Sequence, residues 1–441
     1  MIAAVEHGLA VFVVGFGLAY FFIGVILGYV RLRRSGSGRH TKPVIAQHDY
    51  AVFFLLAALN EAEVIGETVR RLASEPHATV IVVDDGSSDG TGDIARAAGG
   101  GRCLVVRRTL PDARNGKGPA LNAGFAELLA EAHRRGLDPS RTLVCVMDAD
   151  GHLSAGALGH VAPLFDDESV GGAQLAVRIR NRKKLICRLQ DIEFWALSAL
   201  SQFARVSFGN VSLGGNGQFT RLSALLELDG EPWSGSLTED LDLAIRMTLA
   251  GRKLVSTPLA WVDQQAVTSW RRLVRQRTRW MQGHMTCGRY APKLLTSPKT
   301  SNGAAIETVL YLSVPWILVL PWSILYHALW AQTIVNFVHV GLPIQGGVLA
   351  VTGYLIFLYV ISFLPMIVAG FIYHQRDREV GWLKAFLIGH LLIAGFYVGM
   401  IAVWRAVFRM IRGRTGWDKT GRETEDPAAK ARQRRLLVGQ H

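Results

Sequence analysis

The chain has few cysteines and no paired cysteine motif. Its 441 residues include four cysteines, Cys103, Cys145, Cys187 and Cys287, and none forms a Cys-x-x-Cys pair or has a histidine at metal-ligand spacing. Structural zinc sites need ligands at close spacing, so this pattern argues against such a site. We expect four reduced, mostly buried thiols.

Two further absences each argue against one class of function. No Gly-x-Gly-x-x-Gly motif follows the first apolar run, residues 50–59, which argues against a dinucleotide-binding enzyme. His390 is the only titratable residue near the middle of a long apolar segment. Proton or ion coupling needs more such groups. A transporter, or a scaffold that only senses a nucleotide, is therefore the weaker hypothesis.

Long apolar segments are concentrated at the two ends of the chain. Residues 11–30 contain only apolar residues, Gly and Tyr, and Arg-Leu-Arg-Arg follows at once. About 20 such residues span a bilayer. A cleaved signal peptide would carry its basic residues before the apolar run. Basic residues after the span predict a cytoplasmic position for the next domain.

Three more apolar segments follow, at residues 306–330, 347–373 and 385–407. One span before the central region and three after it would leave the basic C-terminal tail outside, whereas its charge predicts a cytoplasmic tail. Two solutions stay open. Either one C-terminal segment is re-entrant or interfacial, or residues 306–343 cross twice.

The sequence therefore predicts a multi-pass protein of the plasma membrane with five regions. They are an N-terminal transmembrane helix (1–32), a cytoplasmic α/β domain (33–262), interfacial amphipathic helices (263–302), a C-terminal transmembrane region (303–410) and a basic cytoplasmic tail (411–441). The net charge is +13, and the basic residues flank the apolar segments or cluster at 271–279. An anionic bilayer surface and an anionic diphosphate explain this placement better than a nucleic acid.

Between residues 47 and 290, apolar runs alternate with helical segments. The predicted strands are 50–59, 78–85, 103–108 and 142–150, and the predicted helices include 60–73 and 88–98. This order predicts a mostly parallel α/β sheet. Ligands of such sheets bind beyond the carboxyl ends of the strands.

Charged residues occur at those strand ends. Asp84 and Asp85 end the second strand, where a carboxylate can accept a hydrogen bond from a uracil N–H or cap the next helix. Lys117 lies between two glycines at the start of a helix and supplies a point charge for a diphosphate. Asp148 and Asp150 form an Asp-x-Asp motif. Strand alternation would point both carboxylates the same way, to share one Mg²⁺ or Mn²⁺ ion with a diphosphate.

Glu239 and Asp240 follow Thr238 at the predicted start of another helix. The helix dipole favours acidic residues there in any protein. The functional alternative is a general base for an acceptor hydroxyl, and Asp240 is our choice for it. Upstream, Gly215 and Asn216 belong to a glycine-rich turn whose backbone donors suit a sugar.

Residues 269–284 predict a basic amphipathic helix that carries Gln276, Arg277, Arg279 and Trp280. Such helices commonly lie on a membrane surface. Contact with lipid and contact with a diphosphate are both open for the two arginines, and Trp280 could stack on an acceptor sugar.

These motifs, in this order and between these apolar segments, resemble the membrane-embedded family-2 glycosyltransferases of GT-A fold. Cellulose, hyaluronan, chitin-oligosaccharide and poly-N-acetylglucosamine synthases belong to that group. The similarity covers roughly residues 52–280, and the final Trp-Asp-Lys-Thr-Gly-Arg segment also resembles the family's tail. Asn60 and Glu61 match, although the residue before them differs from the family's usual Pro or Tyr. The Gly-Gly-Asn-Gly-Gln-Phe loop differs from the acceptor loop of cellulose and hyaluronan synthases.

The resemblance implies a role for each motif. Asp85 and Lys117 would bind uridine, Asp148 and Asp150 the metal and diphosphate, Asp240 would be the base, and Gln276, Arg277, Arg279 and Trp280 would lie beside diphosphate and acceptor. The expected activity is inverting, β-linking transfer from a UDP-sugar to a growing polysaccharide. The alternative is the transfer of one or a few sugars to a lipid. The sequence leaves the sugar and the oligomeric state open.

Overall fold

Ten strands form two sheets in the middle of the chain. In the computed structural model, which describes residues 2–35, 49–340, 347–377, 380–414 and 416, they are β1 (Ala51–Ala58), β2 (Ala78–Asp84), β3 (Cys103–Arg107), β4 (Thr142–Val146), β5 (His152–Leu153), β6 (Val170–Gln174), β7 (Ala176–Ile179), β8 (Gln218–Arg221), β9 (Lys253–Val255) and β10 (Trp261–Gln264). The larger sheet has the order β3-β2-β1-β4-β8-β6-β9, and the smaller has the order β5-β10-β7.

The predicted mostly parallel sheet is confirmed. Strands β3, β2, β1 and β4 pair in parallel, and β8 is antiparallel to both of its neighbours. Every residue of β2 and β4 is buried, because helices cover both faces of the sheet. This explains why their sequences are continuous rather than alternating apolar runs.

The helices include the predicted ones. They are α1 (Ile2–Arg34), α2 (Ile65–Ala73), α3 (Thr91–Gly99), α4 (Lys117–Arg134), α5 (Ala157–Val161), α6 (Leu185–Ile192), α7 (Ala199–Arg205), α8 (Leu222–Leu226), α9 (Glu239–Leu249), α10 (Trp270–Cys287), α11 (Ala291–Thr296), α12 (Asn302–Val314), α13 (Leu320–Val340), α14 (Gly347–Arg376), α15 (Trp382–Leu391) and α16 (Ile393–Ile411). Two π-helical segments, Glu193–Ser198 and Pro315–Val319, continue α6 into α7 and α12 into α13. The four cysteines are free and buried, as predicted.

Two predicted element bounds are wrong by four residues or more. Helix α2 begins at Ile65 rather than at residue 60, because Asn60 has a positive φ of 51° and residues 60–64 form a turn. Strand β4 ends at Val146. Asp148 and Asp150 therefore lie in a turn, and strand alternation does not govern the direction of their side chains.

Four helical segments of the described residues are long and apolar enough to cross a membrane. They are Val11–Arg34, Asn302–Val335, Gly347–Arg376 and Trp382–Ile411. The final Trp-Asp-Lys-Thr-Gly-Arg segment, residues 417–422, lies outside the described residues.

The last apolar segment is divided into α15 and α16 by a break at Leu392. Helix α15 packs antiparallel to α14, since Gly370 lies against Ala385 and Gly389 against Ile367. After a break at Leu392, α16 packs along α10 and ends with Arg409 Nε donating to Gln282 Oε1 at 2.7 Å. One part of this segment thus packs against α14 and the other against α10.

Candidate active site

A cavity of about 400 Å³ lies beyond the carboxyl ends of β1, β2 and β4 and extends to the membrane helix α12. The structure brings nine of the predicted residues to its wall: Glu61, Asp85, Lys117, Asp148, Glu239, Asp240, Gln276, Arg279 and Trp280. Five predicted residues, Asn60, Asp84, Asp150, Asn216 and Arg277, are absent from the wall, and Gly215 lies at its edge. Motifs that are far apart in the sequence thus meet in one place.

Lys117 is at the centre of the charged cluster. Its Nζ donates to Asp148 Oδ1 at 2.8 Å and to the Gly215 carbonyl at 3.3 Å, and it lies 3.9 Å from Glu239 Oε1. Burial alone would lower the pKa of Lys117, but the carboxylates of Asp148, Glu239 and Asp240 together raise it. The side chain is therefore a fixed positive charge among three carboxyl groups.

Glu239 and Asp240 begin α9, as predicted, and their acidity is altered. Burial, reinforced by the Asp240 charge, raises the pKa of Glu239 to about 7. Burial also raises the pKa of Asp240, while the charges of Lys117 and Arg279 oppose the increase. A carboxylate with a raised pKa is a stronger base, which suits proton abstraction near neutral pH.

The glycine-rich turn closes this cluster. Gly215 has a positive φ of 70°, and a Cβ there would lie 3.0 Å from Asp240 Oδ2 and 3.1 Å from Lys117 Nζ. A side chain at this position would therefore strain the backbone and crowd Asp240. Asn216 is buried beneath the turn. Its Oδ1 accepts from the Asp148 backbone N–H at 3.1 Å, so it positions the Asp-x-Asp turn.

The two aspartates of the Asp-x-Asp motif have different surroundings. Asp148 faces the cavity, whereas Asp150 is fully buried and its Oδ2 accepts from the backbone N–H of Gln265 at 2.8 Å. Among the described residues, no group of three His, Cys, Asp or Glu side chains is placed to hold a metal ion. Mg²⁺ commonly uses one or two protein carboxylates together with substrate phosphates. Asp148 with a diphosphate fits an ion of that kind.

The carboxylates after β2 also differ. Asp84 Oδ1 accepts from the Ser87 N–H at 2.9 Å, so this side chain holds the turn. Asp85 lines the cavity, where its carboxylate accepts from Arg108 Nη1 at 2.6 Å and from the Arg114 N–H at 3.1 Å. Asp85 is thus the one of the two that a nucleoside in the cavity can reach.

Asn60 and Glu61 precede α2 on the neighbouring strand end. Asn60 is exposed, and its Oδ1 accepts from the Ser88 N–H at 2.9 Å. Glu61 is buried and lines the cavity, and its backbone N–H donates to Thr91 Oγ1 at 2.8 Å. The first of these residues therefore holds the loops together, and the second contributes a carboxylate to the wall.

Helix α10 presents Gln276, Arg279 and Trp280 to the cavity, but Arg277 points elsewhere. The Arg277 guanidinium is buried, donates to Glu193 Oε2 at 2.8 Å and lies 4.2 Å from the centre of the Trp280 ring. A guanidinium over an aromatic ring makes a favourable cation–π interaction. Arg277 therefore holds Trp280 in place, and Arg279 is the arginine that faces the cavity.

A close contact couples α10 to the start of α9. A Cβ at Gly283 would lie 2.5 Å from both Cγ2 and Oγ1 of Thr238, the residue before Glu239. Thr238 occupies the position before the helix, as predicted, but its side chain makes no capping hydrogen bond. Only a residue without a side chain at position 283 allows the two helices to approach this closely.

Sequence reasoning missed one whole wall of the cavity. Glu193 and Phe194 belong to the π-helical segment between α6 and α7, and π-helical turns are frequent at functional sites. His284 and Tyr311 line the far end, where His284 Nε2 lies 2.9 Å from the Tyr311 carbonyl. Burial lowers the pKa of His284 to about 4, so its imidazole is neutral at pH 7. The spacing of His284 from Trp280, i and i+4 on one helix, was a usable signal, whereas Tyr311 had none.

A buried ion pair supports that far end. Arg205 Nε lies 2.8 Å from Glu307 Oε1, and the Arg205 guanidinium lies 4.0 Å from the centre of the Tyr311 ring. Asn210 and Ser212 complete the hydrogen bonds of the pair. Helix α7 of the central region and the first turns of α12 are thus joined below the cavity.

Two proteins of known function are similar in sequence to this chain. A β-monoglucosyldiacylglycerol synthase from Trichormus variabilis is 33% identical over 239 residues, which cover 53% of this chain and 48% of the synthase. A poly-β-1,6-N-acetyl-D-glucosamine synthase from Staphylococcus aureus is 26% identical over 269 residues, covering 60% of this chain and 62% of the synthase. The chain thus spans about half the length of the first relative.

The fold has a solved counterpart. A mannosyltransferase from Pyrobaculum calidifontis, solved in complex with GDP-Man and Mn²⁺, superposes with a TM-score of 0.54 at 18% identity and covers 89% of this chain and 99% of the mannosyltransferase. The predicted GT-A fold is confirmed. Residues 48–283, more than half of the chain, match the family described as glycosyltransferase like family 2. The chain belongs to glycosyltransferase family 2.

Proposed function

We propose that this protein transfers a sugar from a nucleotide-diphosphate donor to an acceptor hydroxyl, with inversion at the anomeric carbon. The observation that carries the proposal is the convergence of Lys117 with Asp148, Glu239 and Asp240 in one cavity. A lysine and an arginine, Arg279, beside buried carboxylates can bind a diphosphate and a hydroxyl at the same time. No covalent nucleophile is needed for a single displacement.

Asp240 is the proposed base. Its Oδ1 accepts from the backbone N–H of Leu241 at 2.7 Å, which fixes the carboxylate, and its Oδ2 faces Gly215 and the cavity. Asp240 would take the proton of the acceptor hydroxyl as the oxygen attacks the anomeric carbon. The bond from that carbon to the diphosphate breaks, and Lys117 and Arg279 stabilise the charge that develops on the leaving group. An α-linked donor gives a β-linked product.

The donor-binding end of the cavity lies between β1 and β2. Asp85, Glu61 and Lys117 line it, and we propose that Asp85 and Lys117 bind the nucleoside of a UDP-sugar. The mannosyltransferase counterpart was solved with GDP-Man, so the donor panel must include GDP-sugars.

Mg²⁺ or Mn²⁺ is the proposed cofactor. Asp148 would hold it together with the donor diphosphate, and the bound ion would offset the negative charge of the leaving group. The Mn²⁺ in the mannosyltransferase complex supports this assignment. Asp150, buried behind Asp148, would fix the turn that presents Asp148.

For the acceptor we propose a growing polysaccharide. Phe194, Trp280 and Tyr311 give the far end of the cavity aromatic walls that suit a sugar ring, and the poly-N-acetylglucosamine synthase is the relative matched over the larger share of its length. A lipid acceptor is the second candidate. The 33% identity to a glucosyldiacylglycerol synthase and the contribution of a membrane helix, through Tyr311, favour it.

The membrane setting follows from the four apolar helices. We propose a multi-pass protein of the plasma membrane whose catalytic domain is cytoplasmic, because Arg31, Arg33 and Arg34 end α1 immediately before that domain. Nucleotide sugars are then available on the same side as the cavity.

The test is release of nucleoside diphosphate by the detergent-purified, lipid-supplemented protein. A panel of UDP- and GDP-sugars is assayed with Mg²⁺, with Mn²⁺ and with EDTA, and the products are sized. Turnover with one donor, lost in EDTA and absent in Asp240→Asn, is the expected result. Long products identify a polysaccharide and short lipid-soluble ones a glycolipid. Transfer that persists in EDTA would contradict the metal assignment, and failure of every donor and acceptor would contradict the transferase.

A further inference from the structure

A second cavity, an open groove of about 340 Å³, lies between α13 and α16, away from the active site. Its wall includes Ile324 and His327 of α13 and Tyr397, Trp404, Arg405 and Phe408 of α16. Among the described residues, it shares no lining residue with the active-site cavity. The packed side chains of Met285, Val403 and Ala406 lie between α10 and α16 on the active-site side.

One charge stands out in this apolar wall. Arg405 is exposed in the groove, and among the described residues no carboxylate lies within 4.0 Å of its guanidinium. A cation beside hydrocarbon is costly unless an anion or water accompanies it, so a charged residue of a membrane helix indicates a functional partner. The wall around Arg405 offers hydroxyl, imidazole and indole groups but no counter-charge.

Arg405 lies in roughly the last two turns of α16. Arg405 and Arg409 are spaced i and i+4 and share one face of the helix, and Arg412 follows its last residue. Arg409 binds Gln282 of α10, the basic amphipathic helix, and Arg405 is one turn, about 6 Å, further from that end. Arg405 therefore lies close to the level of α10, the helix that the sequence predicts to lie at the membrane surface.

The rest of the groove suits a hydrocarbon chain. Ile324 and Phe408 are more than half exposed, at 56% and 53%. The Trp404 indole N–H donates to Ser323 Oγ at 2.9 Å, which fixes the ring, and the His327 and Tyr397 rings are 5.5 Å apart. Trp and Tyr are enriched at the interface between headgroups and acyl chains.

We propose that this groove is a binding site for an anionic phospholipid, with the lipid phosphate on Arg405 and one acyl chain along Ile324, Tyr397 and Phe408. Charge complementarity favours an anionic phospholipid as the occupant. Arg405 supplies one positive charge for the phosphate, and the apolar wall of the groove suits an acyl chain. The site is separate from the donor and acceptor sites, and the proposal holds whichever sugar the enzyme transfers.

The test uses Trp404 as the reporter in the full-length protein in vesicles of phosphatidylcholine. Brominated phosphatidylglycerol or brominated phosphatidylcholine is added in increasing mole fraction, and the Trp404 signal is obtained as the difference from Trp404→Phe. Half-maximal quenching is expected at an about fivefold lower mole fraction of the brominated phosphatidylglycerol, the effect of one basic residue near the membrane surface. Arg405→Gln should equalise the two lipids.

Two control variants make the result specific. Arg412→Gln removes the same charge from an exposed position just after α16, outside the groove, and should keep the fivefold preference. Arg405→Lys keeps the charge and should keep most of the preference, which separates loss of charge from misfolding. Equal quenching by both lipids in the unmodified protein, or the same loss in Arg412→Gln as in Arg405→Gln, would overturn the proposal.

Discussion

The Lys117 ammonium and the Asp148 carboxylate form a 2.8 Å ion pair between the start of α4 and the turn after β4. The pair connects the helix that follows β3 to the end of β4. It also sets the charge felt by Glu239, whose Oε1 is 3.9 Å from Lys117 Nζ. The donor-binding and base-carrying parts of the site therefore depend on one side chain.

Replacing Lys117 by Met should reduce kcat/KM by on the order of 100-fold or more, the cost of removing one fixed donor to developing charge. The loss has a second cause: without the ammonium, the pKa of Glu239 and that of Asp240 rise further. Steady-state kinetics at pH 8 check the prediction. Lys293→Met, at an exposed position, is the matched control and should leave kcat/KM unchanged.

Replacing Asp240 by Asn should abolish transfer while donor binding stays nearly intact, because the amide keeps the size of the side chain and removes only the base. Calorimetric titration with the donor identified in the panel measures binding, and nucleoside diphosphate release measures transfer. Simultaneous loss of binding and transfer would refute the assignment of Asp240 as base.

Replacing Arg279 by Gln should move the acid limb of the pH profile to higher pH. The Arg279 charge lowers the pKa of both Glu239 and Asp240 against the opposing effect of burial, so its removal raises both. A base must be deprotonated to act. The ratio of wild-type to variant kcat/KM should therefore increase as pH falls from 8 to 6. Arg279→Lys keeps the charge and should leave the acid limb of the pH profile at its wild-type position. A constant ratio across that range would show that Arg279 does not tune the base.

The sequence predicts the parts of the site that depend on local patterns. Buried parallel strands have continuous apolar runs, so β2 and β4 and the acidic residues after them are evident. Helix α10 is evident from its periodicity. The residues that face the cavity are decided by longer contacts. Arg277 and Arg279 occur in one motif with the same chemistry, yet Arg277 pairs with Glu193, which lies 84 positions earlier.

The direction of the side chains in the Asp-x-Asp turn is also decided by contacts between distant parts of the chain. Asp148 and Asp150 are equivalent by type, but the Gln265 N–H, from the end of β10, binds the Asp150 carboxylate and keeps it in the interior. Tyr311 reaches the cavity because Arg205 and Glu307 join α7 to α12. Periodicity carries no information on such pairs, since each joins segments that are far apart in the chain.

Replacing Gly283 by Ala should impair catalysis through the position of α9. The new methyl group would lie 2.5 Å from Thr238, and overpacking of this kind costs about 1–3 kcal/mol. The displacement acts on the neighbouring Glu239 and Asp240, so kcat should fall more than donor affinity. Gly288→Ala, where a Cβ meets nothing within 4 Å, is the control. Equal kcat in both variants would contradict the close approach of the two helices.

Replacing Glu307 by Gln should destabilise the protein and the far end of the cavity together. Arg205 and Glu307 are 5% and 9% exposed, and breaking a buried pair by removing one charge costs about 3–5 kcal/mol. The uncompensated Arg205 would also leave its position over the Tyr311 ring, so the acceptor KM should rise. Thermal unfolding in detergent and acceptor titration measure the two effects. Glu67→Gln breaks an exposed 2.8 Å pair with Arg71 and should cost less than about 1 kcal/mol. If the two variants unfolded at the same temperature, Glu307 would not hold α12 to the catalytic domain.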